Sequence, residues 1–142
     1  MKHYRFLEHT ADIAFEVRGH SHEELFLNSA MAWQETVFEE FIPHIIGIRD
    51  ISLFELTIEE LLVGFLSELN YLLFVNRWIT DRISGITIRQ EDEMYHLEAR
   101  LEGENYSPEI HRLKEEIKAV TFHNMKVEKI AGMFTTRIVF DI

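Results

Sequence analysis

The chain has 142 residues, 46% of them hydrophobic and 12% aromatic, enough apolar material for one domain with a real core. Its 25 Asp and Glu outnumber 14 Lys and Arg, for a formal net charge of −11. That balance argues against a basic face gripping nucleic-acid phosphates, and suits either plain solubility or a basic protein partner. There is no cysteine, so disulfides, thiolate metal sites and cysteine nucleophiles are excluded.

The opening "MKHYRFLEHTAD" has no long apolar core and no small-residue cleavage site, so no signal peptide is expected. Within "FLEHTADIAF", three ionisable residues, Glu8, His9 and Asp12, stand at the start of an apolar strand. Ile13, Phe15 and Val17 alternate with Ala14, Glu16 and Arg18, which is strand period, closed by Gly19 and His20. Ser21 with Glu24 forms a capping box. The helix after it aligns Leu25, Phe26, Ser29, Ala30, Trp33 and Val37 on one stripe and should end near Glu39. "IRDISLFEL" reads as the second strand, and Thr57 with Glu60 repeats the capping signal. The second helix is apolar on much of its circumference, from Ile58 through Leu73, so it should be covered on two sides and fray near Asn76 to Trp78.

Beyond that point the period is two. Ile86 and Ile88 lead to a polar turn, and Tyr95, Leu97, Ala99 and Leu101 share one face of a hairpin, with His96, Glu98, Arg100 and Glu102 on the solvated face. "GENYSPEIHRLKEE" is a connection with room for one helical turn after Pro108. "IKAVTFH" is a further strand, and "MKVEKI" and "MFTTRIVFDI" form a last hairpin around Ala131 and Gly132. The layout is β-α-β-α followed by mostly antiparallel strands, an α+β (mixed α/β) arrangement in one domain over residues 1–142. The most apolar run, "LLVGFLSELNYLLFV", is interrupted by Ser67, Glu68 and Asn70, so no membrane span is expected and the protein reads as soluble and cytoplasmic.

Phosphate-cradling glycine loops, H-E-x-x-H and G-x-S-x-G are all absent. Of the eight histidines, His20 and His22 read as exposed loop residues, while His123 ends an apolar strand and either faces a site or marks the strand's exit. His9 is the best placed, because a carboxylate beside a histidine fixes its tautomer or supports a metal. Asp12 precedes an apolar strand and Asp141 ends another, in "VFDI". A carboxylate beside a core must be paired, capped or bound to a cation. Asp12, Asp141 and a carboxylate or carbonyl of Ile142 could together offer hard oxygen donors, which favour Ca²⁺, Mg²⁺ or Mn²⁺ over zinc. Equally, Asp12 could cap a turn and Asp141 could be a solvated tail.

"FLEHTADIAFEVRGHSHEELFLNSA", "TIEELLVGFLSELNYLL", "EIKAVTFHNMKV" and "RIVFDI" lie in order along nearly the whole chain, and together they resemble the archease family with its H-T-A-D signature. The resemblance implies a compact α/β fold and a chaperone-like, non-enzymatic accessory role: activation of an RtcB-type RNA ligase in tRNA splicing and RNA repair. The resemblance implies that this role consists in promoting guanylylation of the ligase histidine, allowing multiple turnover and helping to deliver metal ions. It also implies a divalent cation, Ca²⁺ foremost with Mn²⁺ or Mg²⁺ as alternatives, at Asp12, Asp141 and Ile142, with Glu8, His9 and His123 as supporting residues. Where archease-like chains continue after the second helix with an acidic "L-F-D-T-E"-like stretch, this one has "LLFVNRWIT". Two other classes fit the residues: a metal-dependent hydrolase using Asp12, Asp141 and His9 around a bound water, and a metal-free interaction module.

Overall fold

The computed structural model describes residues 3–7 and 12–142. In chain order the elements are β1 (Tyr4–Leu7), β2 (Asp12–Gly19), α1 (His22–Val37), β3 (Gly47–Glu55), α2 (Ile58–Phe74), β4 (Trp78–Glu91), β5 (Met94–Asn105), β6 (Ala119–Thr121), β7 (Glu128–Ile130) and β8 (Met133–Asp141). Every strand pair is antiparallel. One sheet has the order β1-β2-β8-β6, with β7 also on β8; the other is β3-β5-β4. This is the expected α+β fold.

Both capping boxes form. Ser21 Oγ accepts the Glu24 N–H at 3.1 Å, and Thr57 Oγ1 accepts the Glu60 N–H at the same distance. Each bond satisfies a backbone donor that a helix start would otherwise leave orphaned. The helices lie between the sheets: α1 rests on β2 and touches β4, while α2 contacts β3, β4 and β5 on one side and β6 on another. That double cover is what the wide apolar circumference of α2 required. Phe15, Phe26, Trp33, Phe65 and Phe140 are essentially fully buried, and Phe15 meets Phe140 edge-on at 4.9 Å. Trp33 Nε1–H donates to Asn70 Oδ1, whose amide in turn donates to the Ile117 carbonyl, so one side chain ties both helices to the segment before β6.

The structure differs from the sequence reading in several places. Residues Tyr4–Leu7 form an additional strand, β1, on the outer edge of β2. The second helix ends at Phe74 with Val75 as its C-cap, a left-handed Arg77 (φ 55°) turns the chain, and β4 starts at the next residue and runs for 14. Trp78, Ile79 and Thr80 are all buried, and the pairing slips between Thr80 and Arg82 and again between Ile83 and Gly85. Bulges of this kind break the alternation by which a strand is recognised. In the connection, the Ser107 carbonyl accepts from both Ile110 and His111 N–H, giving a single turn, and β6 covers only part of "IKAVTFH".

Candidate functional site

Asp12 opens β2 and Asp141 closes β8, and the register makes them direct cross-strand partners. Directly opposed residues of an antiparallel pair carry Cβ atoms about 5 Å apart on the same face. That face is the outer one, because the neighbours Ile13 and Phe140 turn toward the core. Asp141 is exposed and Asp12 half-buried. Asp141 is also the register partner of Ala119, and its carbonyl accepts the Lys118 N–H at 2.8 Å. Three strands therefore converge at this carboxylate pair.

Two like charges set opposite each other weaken a ladder unless something neutralises them. The donor set is carboxylate oxygen with no sulfur, the chemistry of a hard divalent cation. Ile142 lies next to the pair and packs its side chain on the core, which leaves its backbone oxygens as the donors it could offer. Among the described residues no group of three His, Asp or Glu side chains is placed to hold a metal ion. Glu8 and His9, the expected supporting residues, lie outside the described residues. His123 is exposed, on the turn beyond the end of β6 that points away from Asp141. The structure therefore joins Asp12, Asp141 and Ile142 and does not bring His123 to them.

A second constellation went unread in the sequence. His111 and Glu104 are 1% and 5% exposed. Ser107 N–H donates to His111 Nδ1 at 2.9 Å, so the ring proton sits on Nε2, which donates to Glu104 Oε1 at 2.7 Å. Glu104 Oε2 accepts the His44 N–H at 2.8 Å. Asp81, the bulged residue of β4, stands beside Glu104, and no N–H or hydroxyl among the described residues donates to either of its buried oxygens. Burial first, and the Glu104 carboxylate second, push Asp81 up to about 8. Burial acts in the same direction on Glu104, but bonds from Asp81, the His44 N–H and His111 outweigh it and leave Glu104 below the usual carboxylate range. Asp81 thus holds a proton at neutral pH and donates it to Glu104. The sequence reading placed Glu104 in the connection after the hairpin; β5 instead runs on to Asn105, and the segments 39–46 and 106–111 meet Glu104 through His44 and His111.

Two histidine readings change. His96, expected to be solvated, is 6% exposed: the Phe54 ring stacks on it at 3.9 Å, and Ser52 Oγ lies 2.8 Å from Nε2. Its cross-strand partners Phe54 and Arg89 cover it from both sides. His22 is half-buried rather than a free loop residue, 4.3 Å from the Phe134 ring, and burial lowers its pKa.

Two antiparallel sheets around two capped helices, with a pair of opposed carboxylates drawn from strands far apart in sequence, define a small α+β protein. Residues 4–142 match the Archease protein family (MTH1598/TM1083). The chain is 38% identical over 141 residues to protein archease of Methanosarcina mazei, covering 99% of this chain and 97% of that one. It is 34% identical to protein archease of Pyrococcus abyssi, with full coverage of both. The solution structure of Methanobacterium thermoautotrophicum protein 1598 superposes with a TM-score of 0.84 at 29% identity over 100% of both chains. The Thermotoga maritima structure described as an archease and possible chaperone gives 0.60 at 27% identity, over 96% of this chain and 94% of that one. The chain belongs to the archease family. Among the described residues, no helix is long and apolar enough to cross a membrane.

Proposed function

We propose that this protein is an accessory factor that activates an RtcB-type RNA ligase in tRNA splicing and RNA repair, promoting guanylylation of the ligase and its multiple turnover. The observation that carries the reading is the direct pairing of Asp12 with Asp141 across β2 and β8, in a chain of the archease family. The two carboxylates, with a backbone oxygen of Ile142, would hold a divalent cation, Ca²⁺ foremost. Such a cation supplies charge neutralisation and Lewis acidity toward phosphate oxygens. The strands do the rest: the ladder fixes the spacing of the carboxylates, and the Lys118 N–H anchors the Asp141 backbone. Because Asp141 is exposed, the pair can meet a partner's active site without any opening of this fold.

The test is a ligation assay with the cognate ligase in excess RNA, with and without this protein. Stimulation of turnover and of ligase guanylylation is expected, and its loss in Asp12→Ala and Asp141→Ala. No change with the wild-type protein overturns the reading. A metal-free interaction module is the second reading. Calorimetric titration with Ca²⁺ or Mn²⁺ separates the two: a flat trace at millimolar metal selects the metal-free module.

A further inference from the structure

Segments 39–46 and 106–114 lie outside the helices and strands and pack on each other. Phe38 bridges Leu113, Glu39 N–H donates to the Arg112 carbonyl at 2.9 Å, and Lys114 N–H donates to the Val37 carbonyl at 2.7 Å. Beneath them lies the buried Glu104–His111 network, which takes one backbone donor from each segment, at His44 and at Ser107. Burying a carboxylate and an imidazole is costly, and here they hold irregular backbone in one shape.

The surface held in this way is apolar. Ile42 is 88% exposed, Ile46 and Ile110 59% each, and Ile45 and Leu113 are exposed as well. Irregular segments ordinarily present polar side chains and move freely. Clustered exposed apolar side chains on a fixed backbone mark an interaction surface. Glu39, Glu40 and Glu109 stand on these segments with Arg112 and Lys114, and Glu115 and Glu116 follow directly, so the margin is acidic on balance. A second copy of a chain carrying −11 would meet like charge there.

One edge of the patch is tied by a short stretch of chain to the carboxylate pair. Lys114 is bonded to Val37, and four residues later Lys118 is bonded to the Asp141 carbonyl. Four residues span at most about 14 Å. Lys114, at the edge of the patch, therefore lies within about 14 Å of Lys118, which is bonded at Asp141.

We infer that segments 39–46 and 106–114 form the surface on which the RNA ligase docks, through an apolar and basic face of the ligase that borders its active site. This rests on the function proposed above. Docking there brings the ligase's reacting groups toward Asp12 and Asp141 with no change in this fold. The acidic margin makes the association salt-sensitive, and the isoleucines supply the desolvated centre.

The experiment measures binding of the whole protein to the cognate ligase by biolayer interferometry at 50 and 300 mM salt, alongside the turnover assay. Ile42→Asp combined with Ile46→Asp should weaken binding at least ten-fold with the circular dichroism and melting temperature unchanged. Ile130→Asp, an equally exposed apolar position on β7 beside the opposite end of β8, should bind as the wild type does. Wild-type affinity should fall as salt rises. Equal binding by the double variant, or equal weakening by Ile130→Asp, overturns the docking surface and leaves the proposed function standing. Wild-type binding without any effect on turnover overturns the function, and the isoleucine comparison then decides the surface alone. Absence of wild-type binding overturns both. Sedimentation showing a wild-type dimer that the double variant abolishes assigns the patch to a second copy and overturns the inference.

Discussion

Glu104 and His111 meet at 2.7 Å with both side chains almost wholly buried, and the bond joins the end of β5 to the connection that follows it. His111→Ala removes the donor and leaves a buried carboxylate short of a partner. Losing a hydrogen bond to a charged group costs about 1.5–3 kcal/mol, and the emptied ring volume adds to that. Urea unfolding should show a loss of about 3 kcal/mol. Hydrogen exchange should quicken at His44 and Ser107, whose N–H groups the network holds. A change below about 0.5 kcal/mol would contradict the role given to this bond.

Asp81 provides a pH test with a definite sign. Its folded pKa, about 8, lies above its ordinary 3.8, so between those values the native state binds a proton that the unfolded chain has released. Its contribution is complete below about pH 4 and is lost as pH rises through about 8. Because the side chain is only half-buried and solvent screens it, the expected loss is on the order of 1–2 kcal/mol. Asp81→Asn, whose amide can donate to Glu104 at every pH, should flatten the stability profile between pH 5 and 8. An unchanged slope in the variant would refute the proton-sharing arrangement.

The Asp12–Asp141 pair is tested by metal alone. A cation bound only by the folded state stabilises it by about 2.7 kcal/mol at a hundred-fold excess over its dissociation constant. The melting temperature should climb with Ca²⁺ in the wild type and stay flat in Asp12→Ala and Asp141→Ala. If the single variants respond as the wild type does, the cation is held elsewhere.

Gly103 tests the β4 bulge. A Cβ there would stand 1.9 Å from the Ile79 carbonyl oxygen and 2.7 Å from the Trp78 ring. The nearest obstacle is backbone, so it cannot rotate away. Gly103→Ala should cost upwards of about 3 kcal/mol, beyond ordinary overpacking, or prevent folding. Gly85→Ala, with open space around its Cβ position, is the matched control and should be mild.

Legibility followed locality. Ser21 with Glu24 and Thr57 with Glu60 are contacts within one turn, so the two helix starts stood in the sequence as they stand in the fold. The double cover of α2 was legible because its apolar residues leave little polar circumference. β4 was not, since Trp78, Ile79 and Thr80 are buried in succession and the two bulges that follow them break the period. Within the opening stretch, Asp12 was legible as a carboxylate in need of a partner. By itself the sequence determined the helices, most of the strands and the placing of Asp12 and Asp141 at the ends of two apolar strands. Only the tertiary structure decided that these two carboxylates are register partners, and that Asp81, Glu104 and His111 form a network. Cross-strand register and loop cover depend on residues scores of positions apart, and no local periodicity encodes them.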